Sequence, residues 1–408
     1  MPEQKSAFDT PWFNAQDAGW FNQLNKSKIP RLVLTAETED FDDEVVRQFR
    51  DEGFDTAYVP LLNGGNDFVE RVHRAGDSFG VGEYYGIVAY GDAASLMLEA
   101  HLKPNNPRLV AVIAYYPTTI PSVNTKFPPS VKVLVHLAGS EVGVRRTTEV
   151  LGIQGKRKTV RKRIDPGEGH GGSLKLGYQA YTYGGAEPGF AEHDLEEFEG
   201  VAEGVAFTRT LATLRQAFRI EGGVEGVRDG FVGASGAIGG GRGVQREKVV
   251  GQLREFASVV HAPTLTGGVG RKDLESFYAR FFAPLPPSFA ARLLSRTIGT
   301  DRVVDELFVS FTHSSPVPWI LPGIPPTNKA VEVVVVSIVC VRGGRVESEH
   351  VYWDQASVLA QIGLINPKAV SETMKKKGVK SLPIVGAEGA RAIKRGSSKH
   401  MNALIADW

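Results

Sequence analysis

The chain has 408 residues, 42% of them hydrophobic, and this length and composition favour two domains, each with a buried core. Its 47 basic and 46 acidic residues give a net charge of +1, which provides no overall field to attract nucleic acid or an anionic membrane. The single cysteine, Cys340, excludes an intramolecular disulfide framework, and without a signal-peptide core or an apolar run of roughly 18 residues the chain is predicted to be cytoplasmic.

Residues 29–220 alternate short apolar strands with helices, after an aromatic-rich segment at residues 1–28 that we interpret as an arm packed onto a domain. Such alternation predicts a mostly parallel sheet that is covered on both faces. The predicted strands are Arg31–Thr35, Phe54–Val59, Tyr84–Tyr90, Leu109–Tyr115, Val131–Leu137 and Tyr178–Tyr183. The predicted helices are Asp40–Glu52, Asp92–Leu102 and Leu195–Phe218.

Two stretches of biased composition interrupt this pattern. The basic run Lys156–Arg163 is predicted to be a solvated loop, with anion binding as the alternative. The glycine-rich run Glu221–Gly243 has little periodic apolar content and no leading strand, so it does not match a phosphate-binding loop. We therefore predict a flexible linker over residues 221–246.

A second domain is predicted over residues 247–366, as an α+β unit with a curved antiparallel sheet wrapped around helices. Leu274–Phe282 has the spacing of an amphipathic helix, and Asp301–Phe311 is predicted as a helix passing into a strand. A basic tail at residues 367–408 follows, in which Ile384–Ala392 is expected to cover part of the first domain.

The stretch Val331–Gln355 carries the strongest local pattern in the chain. Two runs rich in β-branched residues flank the pair Gly343–Gly344, which is typical of a β-hairpin with a two-residue turn. If the turn alone sets the register, Ser337 lies opposite His350, whereas a slip of one residue would exchange the two faces of the second strand.

In the unslipped register, His350, Tyr352 and Asp354 share one face of the hairpin, and the other residues of that face are mostly valines. An imidazole, a phenol and a carboxylate on an apolar sheet face suit the wall of a pocket, where burial shifts pKa values. Glu349 and Trp353 would then lie on the opposite, outer face.

Two motifs in the first domain resemble the dienelactone hydrolase family of α/β-hydrolases. They are YGIVAYGDAAS, beginning at Tyr85, and YTYGGAEPGFAEHDL, beginning at Tyr181. The resemblance implies an α/β-hydrolase-like fold with a nucleophile elbow after the strand ending at Tyr90. The position of the family's cysteine is Gly91 here, and the position of its histidine is Pro188, so the usual triad is missing.

An alternative hydrolytic site uses neighbouring residues of suitable chemistry. Asp92 follows the elbow position, His193 follows Pro188, and the resemblance places acids near Glu141 and Glu37. A lactone or ester hydrolase with this unconventional site is one hypothesis for the chain. The alternative interpretation of Asp92 is an acid that stabilises a helix N-terminus.

The second domain resembles the SnoaL-like domain, a ketosteroid-isomerase-like cone, in the form found behind dienelactone-hydrolase-like domains in fungal proteins. The resemblance is carried by HAPTLTGGVG from His261, RTIGTDRVVDE from Arg296, FTHSSPVPWILPGIPPTNK from Phe311 and EHVYWDQASVLAQIGLI from Glu349. It implies cofactor-free acid–base chemistry through histidine and aspartate in an apolar pocket, as in polyketide cyclases. The same cone also hosts dimerisation modules without activity.

The catalytic candidates are His350 and Asp354, with Tyr352 between them as an oxyanion donor, and His313 and His261 near the mouth of the cone. Trp319, Trp353 and Tyr278 are expected to be core or pocket wall. No histidine pair has the spacing of a zinc motif, so no metal is expected.

The leading hypothesis is a cofactor-independent natural-product enzyme. It would catalyse isomerisation, cyclisation or elimination of a polyketide- or terpenoid-like small molecule. Nucleic acid and membranes are not expected as partners. The remaining alternative to this enzyme and to the hydrolase is a non-catalytic binding protein or homodimer.

Overall fold

A computed structural model of the chain describes residues 29–62, 64–77, 83–104, 106–150, 153–163, 176–235, 246–282, 285–396 and 401–405. The interpretation of residues 1–28 as a packed arm lies outside the described residues. The chain forms two compact units, Met1–Gly222 and Gly223–Trp408. The second unit therefore begins inside the predicted linker, 24 residues before position 247.

The first unit is built on a parallel sheet, as the sequence predicts. Its strands are β1 (Arg31–Thr35), β2 (Asp55–Tyr58), β3 (Tyr85–Tyr90), β4 (Leu109–Tyr115), β5 (Thr119–Ile120), β6 (Lys132–Leu137), β7 (Glu141–Val150), β8 (Ile153–Arg163) and β9 (Gln179–Thr182). Six of them form one sheet in the order β2-β1-β3-β4-β6-β9, with every neighbouring pair parallel.

Helices cover both faces of this sheet. They are α1 (Asp43–Asp51), α2 (Gly65–Arg74), α3 (Gly91–Ala100) and α4 (Gly200–Phe218). Successive residues of β1 enter different buried clusters, since Leu32 and Leu34 lie in one and Val33 in the other. This alternation explains why the strands read as continuous apolar runs, and it confirms an α/β unit with two covered faces.

The basic run Lys156–Arg163 is a strand, not the predicted loop. It forms most of β8, which pairs antiparallel with β7 in a three-stranded sheet of order β5-β7-β8. Val142 and Val144 of β7 are buried at the base of this hairpin. Their burial and the β7–β8 pairing stabilise β8 as a strand, although its many basic residues suggest a loop in the sequence.

The second unit contains a mixed, mostly antiparallel sheet. Its strands are β10 (Leu253–His261), β11 (Thr266–Val269), β12 (Ala290–Ile298), β13 (Arg302–Thr312), β14 (Ala330–Arg342) and β15 (Arg345–Trp353). The order is β11-β10-β15-β14-β13-β12, and only the pair β10–β15 is parallel among the described strands of this sheet. We call this sheet and the helices packed on its inner face the cone.

The helices of this unit are α5 (Val224–Ser235), α6 (Arg246–Gly251), α7 (Arg271–Phe277), α8 (Gln355–Gln361), α9 (Glu372–Lys376) and α10 (Glu388–Arg395). A single π-helical turn, Tyr278–Phe282, continues α7. Among the described residues, no helix of either unit has the length and apolarity needed to cross a membrane.

Two predictions for this unit are wrong. Asp301–Phe311 is not part helix, because alternate side chains of β13 are buried, the period-2 pattern of a strand. The predicted linker contains α5, which packs against β13, β14 and β15, while its residues 236–245 lie outside the described part. The tail helix α10 packs against β14, where Arg391 pairs with Glu332.

The hairpin β14–β15 has the predicted turn but not the predicted register. Next to the turn Val341 pairs with Val346, yet Cys340 pairs with Ser348, so Glu347 is an extra residue in a β-bulge. Beyond the bulge Ser337 pairs with Val351 instead of His350. Because side chains alternate along a strand, this one-residue shift exchanges the faces of β15.

Candidate active site

The cone contains a cavity that is partly open to solvent. Valine, leucine, alanine and phenylalanine side chains form much of its wall. Its polar members are Arg228, His261, Tyr278, Trp319, Ser337 and Glu349. An apolar pocket with a few convergent polar groups is the usual form of a small-molecule site.

Arg228 of α5 is the centre of the polar network in the cavity wall. Its guanidinium is 3% exposed and donates to three strands of the sheet. The bonds run from Nε to Asp305 Oδ2 at 2.9 Å, from Nη2 to Ser337 Oγ at 2.9 Å and from Nη1 to Glu349 Oε1 at 3.2 Å. Arg228 therefore ties α5 to β13, β14 and β15 through charged hydrogen bonds.

A second arginine, Arg296, joins this network, and it also donates to the more exposed carboxylates of Glu225 and Asp229. Asp305 also accepts from Arg296, with distances of 2.6 Å from Nε and 2.9 Å from Nη2. Burial alone would raise the pKa of Asp305, but the hydrogen bonds from Arg296 and the charge of Arg228 outweigh it and lower the pKa. Two arginines thus face two buried carboxylates, those of Asp305 and Glu349.

His261, at the end of β10, has one ring nitrogen fixed and one free. Its Nδ1 lies 3.2 Å from the carbonyl oxygen of Thr266, which can only accept, so Nδ1 carries the proton. Burial lowers the pKa of His261, against the opposing charge of Glu349 and the bond to Thr266, so the ring is neutral at pH 7. Nε2 has no partner in the described residues and presents a lone pair, which is the form of a general base.

Trp319 and Tyr278 supply donors in the same cavity. Trp319 is 4% exposed, and its Nε1 is buried without a hydrogen-bond partner among the described residues. The Tyr278 hydroxyl lies 3.5 Å from Glu349 Oε2, and burial raises the pKa of Tyr278 well above its ordinary value. Both side chains therefore remain proton donors at neutral pH.

Three residues expected at the pocket are found there: His261, Trp319 and Tyr278. Trp353 is a buried neighbour, with its ring centroid 5.7 Å from that of Trp319 and 6.0 Å from that of His261. His313 is buried elsewhere, where the backbone N–H of Thr327 donates to its Nδ1 at 3.3 Å.

The predicted placement of His350, Tyr352 and Asp354 in the pocket is wrong. The bulge at Glu347 turns all three to the exposed face of β15. Asp354 instead caps α8, accepting from the backbone N–H of Ser357 at 3.2 Å.

Sequence reasoning missed Arg228 and Glu349. Glu349 was assigned to the outer face, and only the bulge brings it inward. Arg228 lay in the predicted linker, although Val224, Arg228, Phe231 and Val232 share one helical face. This spacing was a signal for a packed helix, and the glycine content of the segment obscured it.

In the first unit, Glu37 fills the position that the elbow would give to a nucleophile. The carboxylate oxygen Oε1 accepts from the backbone N–H of Asp92 at 2.5 Å. A β-carbon at Gly91, where φ is +53°, would overlap the same oxygen. Asp92 itself accepts a hydrogen bond from the Thr118 hydroxyl. Glu37 and Asp92 are thus brought together, as one half of the alternative site.

His193 is held by other partners. Its Nδ1 lies 2.9 Å from Asp42 Oδ2, and its Nε2 lies 3.2 Å from the Gln48 amide nitrogen. The amide can only donate, so the Nε2 lone pair is already bonded. Glu141 lies at the start of β7, where it pairs across the hairpin with Arg163. The alternative hydrolytic residues therefore do not form one hydrogen-bonded set.

Metal-binding geometry is not found in the described part of the chain, where no group of three or more histidine, cysteine, aspartate or glutamate side chains could hold an ion.

No family model and no curated protein matches this chain. Several solved structures are similar to about a third of it. A candidate SnoaL-like polyketide cyclase of Jannaschia sp. CCS1 is 21% identical over 35% of this chain and 92% of its own, with a TM-score of 0.29. A candidate polyketide cyclase of Streptomyces antibioticus is 19% identical over 35% of this chain and 99% of its own, with a TM-score of 0.27.

A Catenulispora acidiphila protein with a ketosteroid-isomerase-like fold is 18% identical over 34% of this chain and 93% of its own, with a TM-score of 0.26. Its structure was solved in complex with trimethylamine. Because the identities and TM-scores are low, we draw no functional conclusion from these similarities. The assignment of function depends on the geometry of the cone.

Proposed function

We propose that the cone is a cofactor-independent acid–base catalyst that isomerises, cyclises or eliminates on a small organic molecule. The observation that carries this proposal is His261, whose Nε2 lone pair is unpaired in the wall of an apolar cavity. The sequence resemblance to SnoaL-like domains extends the proposal to polyketide- or terpenoid-like substrates.

The chemistry begins with proton transfer from a substrate carbon or hydroxyl group to His261 Nε2. The Nδ1 bond to Thr266 keeps the ring in the tautomer that can accept this proton. Glu349 lies close enough for its charge to favour the imidazolium that forms. The proton then returns to a different atom of the substrate, which completes an isomerisation without a cofactor.

A test of this base does not require the natural substrate. 5-Nitrobenzisoxazole opens when a base removes the C–H proton of its isoxazole ring. The C–H electron pair then forms the nitrile as the N–O bond breaks, which releases a coloured cyano-nitrophenolate. We expect the full chain to accelerate this reaction and His261→Gln to reduce the acceleration by about 10²–10⁴-fold. Glutamine retains an N–H for the Thr266 carbonyl, so it removes the base with little change in packing.

The matched control is His350→Gln on the exposed face of β15. It should keep the wild-type rate, because His350 does not line the cavity. Equal rates for both variants and the wild-type protein, with intact circular dichroism, would show that the cavity holds no working base. That result would favour the non-catalytic binding hypothesis. Hydrolysis of esters by the same His261→Gln variant would favour a hydrolase instead.

A further inference from the structure

We propose that the hairpin formed by β7 and β8 binds the surface of an anionic lipid bilayer. This proposal goes beyond the proposed function, because it concerns the first unit and does not involve the cone. It is carried by the concentration of basic residues on the hairpin, by the exposure of basic side chains on β8, and by an apolar pair of residues at the far end.

Basic residues are concentrated on this hairpin. The 11 residues of β8, Ile153–Arg163, include six lysines and arginines and no acidic residue. Residues 37–44 and 187–203 of the same unit contain 13 acidic residues and no lysine or arginine. The net charge of +1 is therefore an average over regions of opposite charge, and it does not exclude a local attraction to an anionic surface.

The basic side chains of β8 whose placement is described are accessible to a partner. Lys158, Arg161 and Arg163 are exposed, and Lys162 is partly exposed. Arg161 has 84% of its side chain exposed, and its Nη1 lies 3.8 Å from Glu141 Oε2. An ion pair this long and this exposed contributes little, so it does not keep Arg161 from an anionic partner.

The base of the hairpin is attached to the rest of the first unit. Val142 and Val144 of β7 are buried, and Arg145 pairs with Glu99 of α3. Beyond this base the two strands continue to the pair Val150–Ile153, which lies roughly 20 Å along β7 from Val144. The hairpin therefore has a fixed base and an end pair at some distance from it.

The end pair distinguishes a bilayer from other anionic partners, because Val150 and Ile153 are both apolar. Basic side chains on an edge strand prevent pairing with other sheets, and a basic β-ribbon also fits the major groove of DNA. Neither role requires valine and isoleucine at the end of the hairpin. At a bilayer surface, apolar side chains enter the boundary between headgroups and acyl chains, while basic side chains meet the anionic headgroups.

The test is co-sedimentation of the full chain with lipid vesicles. We expect binding to phosphatidylcholine vesicles that contain about one third phosphatidylserine, and little binding to phosphatidylcholine alone. Binding should fall steeply as sodium chloride is raised to about 0.5 M, because salt screens the attraction between exposed charges. Failure of the wild-type chain to bind the anionic vesicles at low salt would overturn the proposal.

The charge variant combines Lys158→Ala, Arg161→Ala and Lys162→Ala. It should weaken binding to the anionic vesicles by about 10²-fold, since each basic residue near such a surface contributes roughly fivefold. Its affinity should also depend less on salt than that of the wild-type chain. Near-UV circular dichroism checks that the variant is folded, and the wild-type measurement decides the proposal even if it is not.

The matched control removes the same charge from exposed positions of the second unit, with Lys376→Ala, Lys377→Ala and Lys380→Ala combined. It should bind the anionic vesicles as the wild-type chain does. An equal loss of affinity in the control and in the charge variant would show that binding follows the total charge and not the hairpin.

The apolar variant is Ile153→Ser, which should weaken vesicle binding by about tenfold and keep the wild-type salt dependence, because it removes apolar contact but no charge. Ile393→Ser, at an exposed isoleucine of α10, is its control and should keep the wild-type affinity. Wild-type affinity of Ile153→Ser for the vesicles would contradict a lipid partner. Tighter binding of the full chain to a DNA duplex than to the vesicles would assign the hairpin to nucleic acid instead.

Discussion

The carboxylate of Glu37 occupies the space that a side chain at position 91 would need. Gly91 begins α3 with φ of +53°, and Glu37 Oε1 accepts the backbone N–H of Asp92 at 2.5 Å. This N–H lies at the helix terminus, where backbone donors need a partner. The Glu37 carboxylate can therefore cap α3 only because position 91 has no side chain, and a nucleophile at this position would displace it.

Alanine at position 91 should destabilise the first unit by about 2 kcal/mol. About half of this cost comes from holding alanine in a left-handed backbone conformation. The rest comes from losing the Glu37 cap, because the β-carbon forces the exposed carboxylate to move away. Glu37→Ala alone should cost about 1 kcal/mol. The double variant should be as stable as Gly91→Ala, because the cap is already lost. Additive costs in urea unfolding would contradict this coupling.

Replacement of Arg228 by methionine should lower the free energy of unfolding by about 3–5 kcal/mol, because Glu349 then stays buried without a cationic partner. Denaturant unfolding with near-UV circular dichroism measures this loss. Arg74→Ala is the control, since the Arg74–Glu70 pair is exposed and removing it should cost about 0–1 kcal/mol. Equal losses in the two variants would contradict a structural role for Arg228.

Acid should destabilise the first unit through His101. Burial lowers the pKa of His101 to about 4, and its Nε2 lies 3.0 Å from Nε2 of His73, whose pKa burial also lowers. Because the folded state disfavours the proton, the stabilisation is complete above pH 6.5 and is lost as the pH falls toward 4. At about 1.4 kcal/mol per pKa unit, His101 accounts for about 3 kcal/mol of this loss.

The measurement is the free energy of unfolding of wild type and His101→Gln between pH 7 and pH 4. The variant should have a shallower pH dependence, whatever its stability at pH 7. A wild-type slope in His101→Gln would assign the acid sensitivity to other groups, such as the buried His136, whose pKa is lowered to about 3.

Deletion of Glu347 should disrupt the cone far more than Glu347→Ala. Without the extra residue of the bulge, β15 must pair in the register set by the turn alone, which turns Val351 and Trp353 outward and His350 and Tyr352 inward. We expect the deletion to abolish cooperative unfolding in denaturant. Substitution by alanine keeps the residue count and should retain it. A deletion variant with wild-type cooperativity would contradict this account of the bulge.

The first unit was predictable because its strands are buried on both faces and stand out as apolar runs, as in Leu109–Tyr115. The hairpin register was not, because the bulge at Glu347 depends on how Cys340 and Val341 pair with the facing strand. His261 and Trp319 were within reach of sequence resemblance. The role of Arg228 was not, because its two carboxylate partners lie far from it along the chain.

The position of Arg228 also determines how short a segment of this chain can be and still contain a cone whose buried charges are paired. The stretch that resembles other cones begins at His261, but the cation that neutralises Glu349 comes from 33 residues earlier. A recombination event that joined the cone to a new partner at residue 247 would transfer the carboxylates without this counterion. Natural rearrangements of such proteins should therefore break before Gly223, and chains that break later should carry an uncharged residue at position 349.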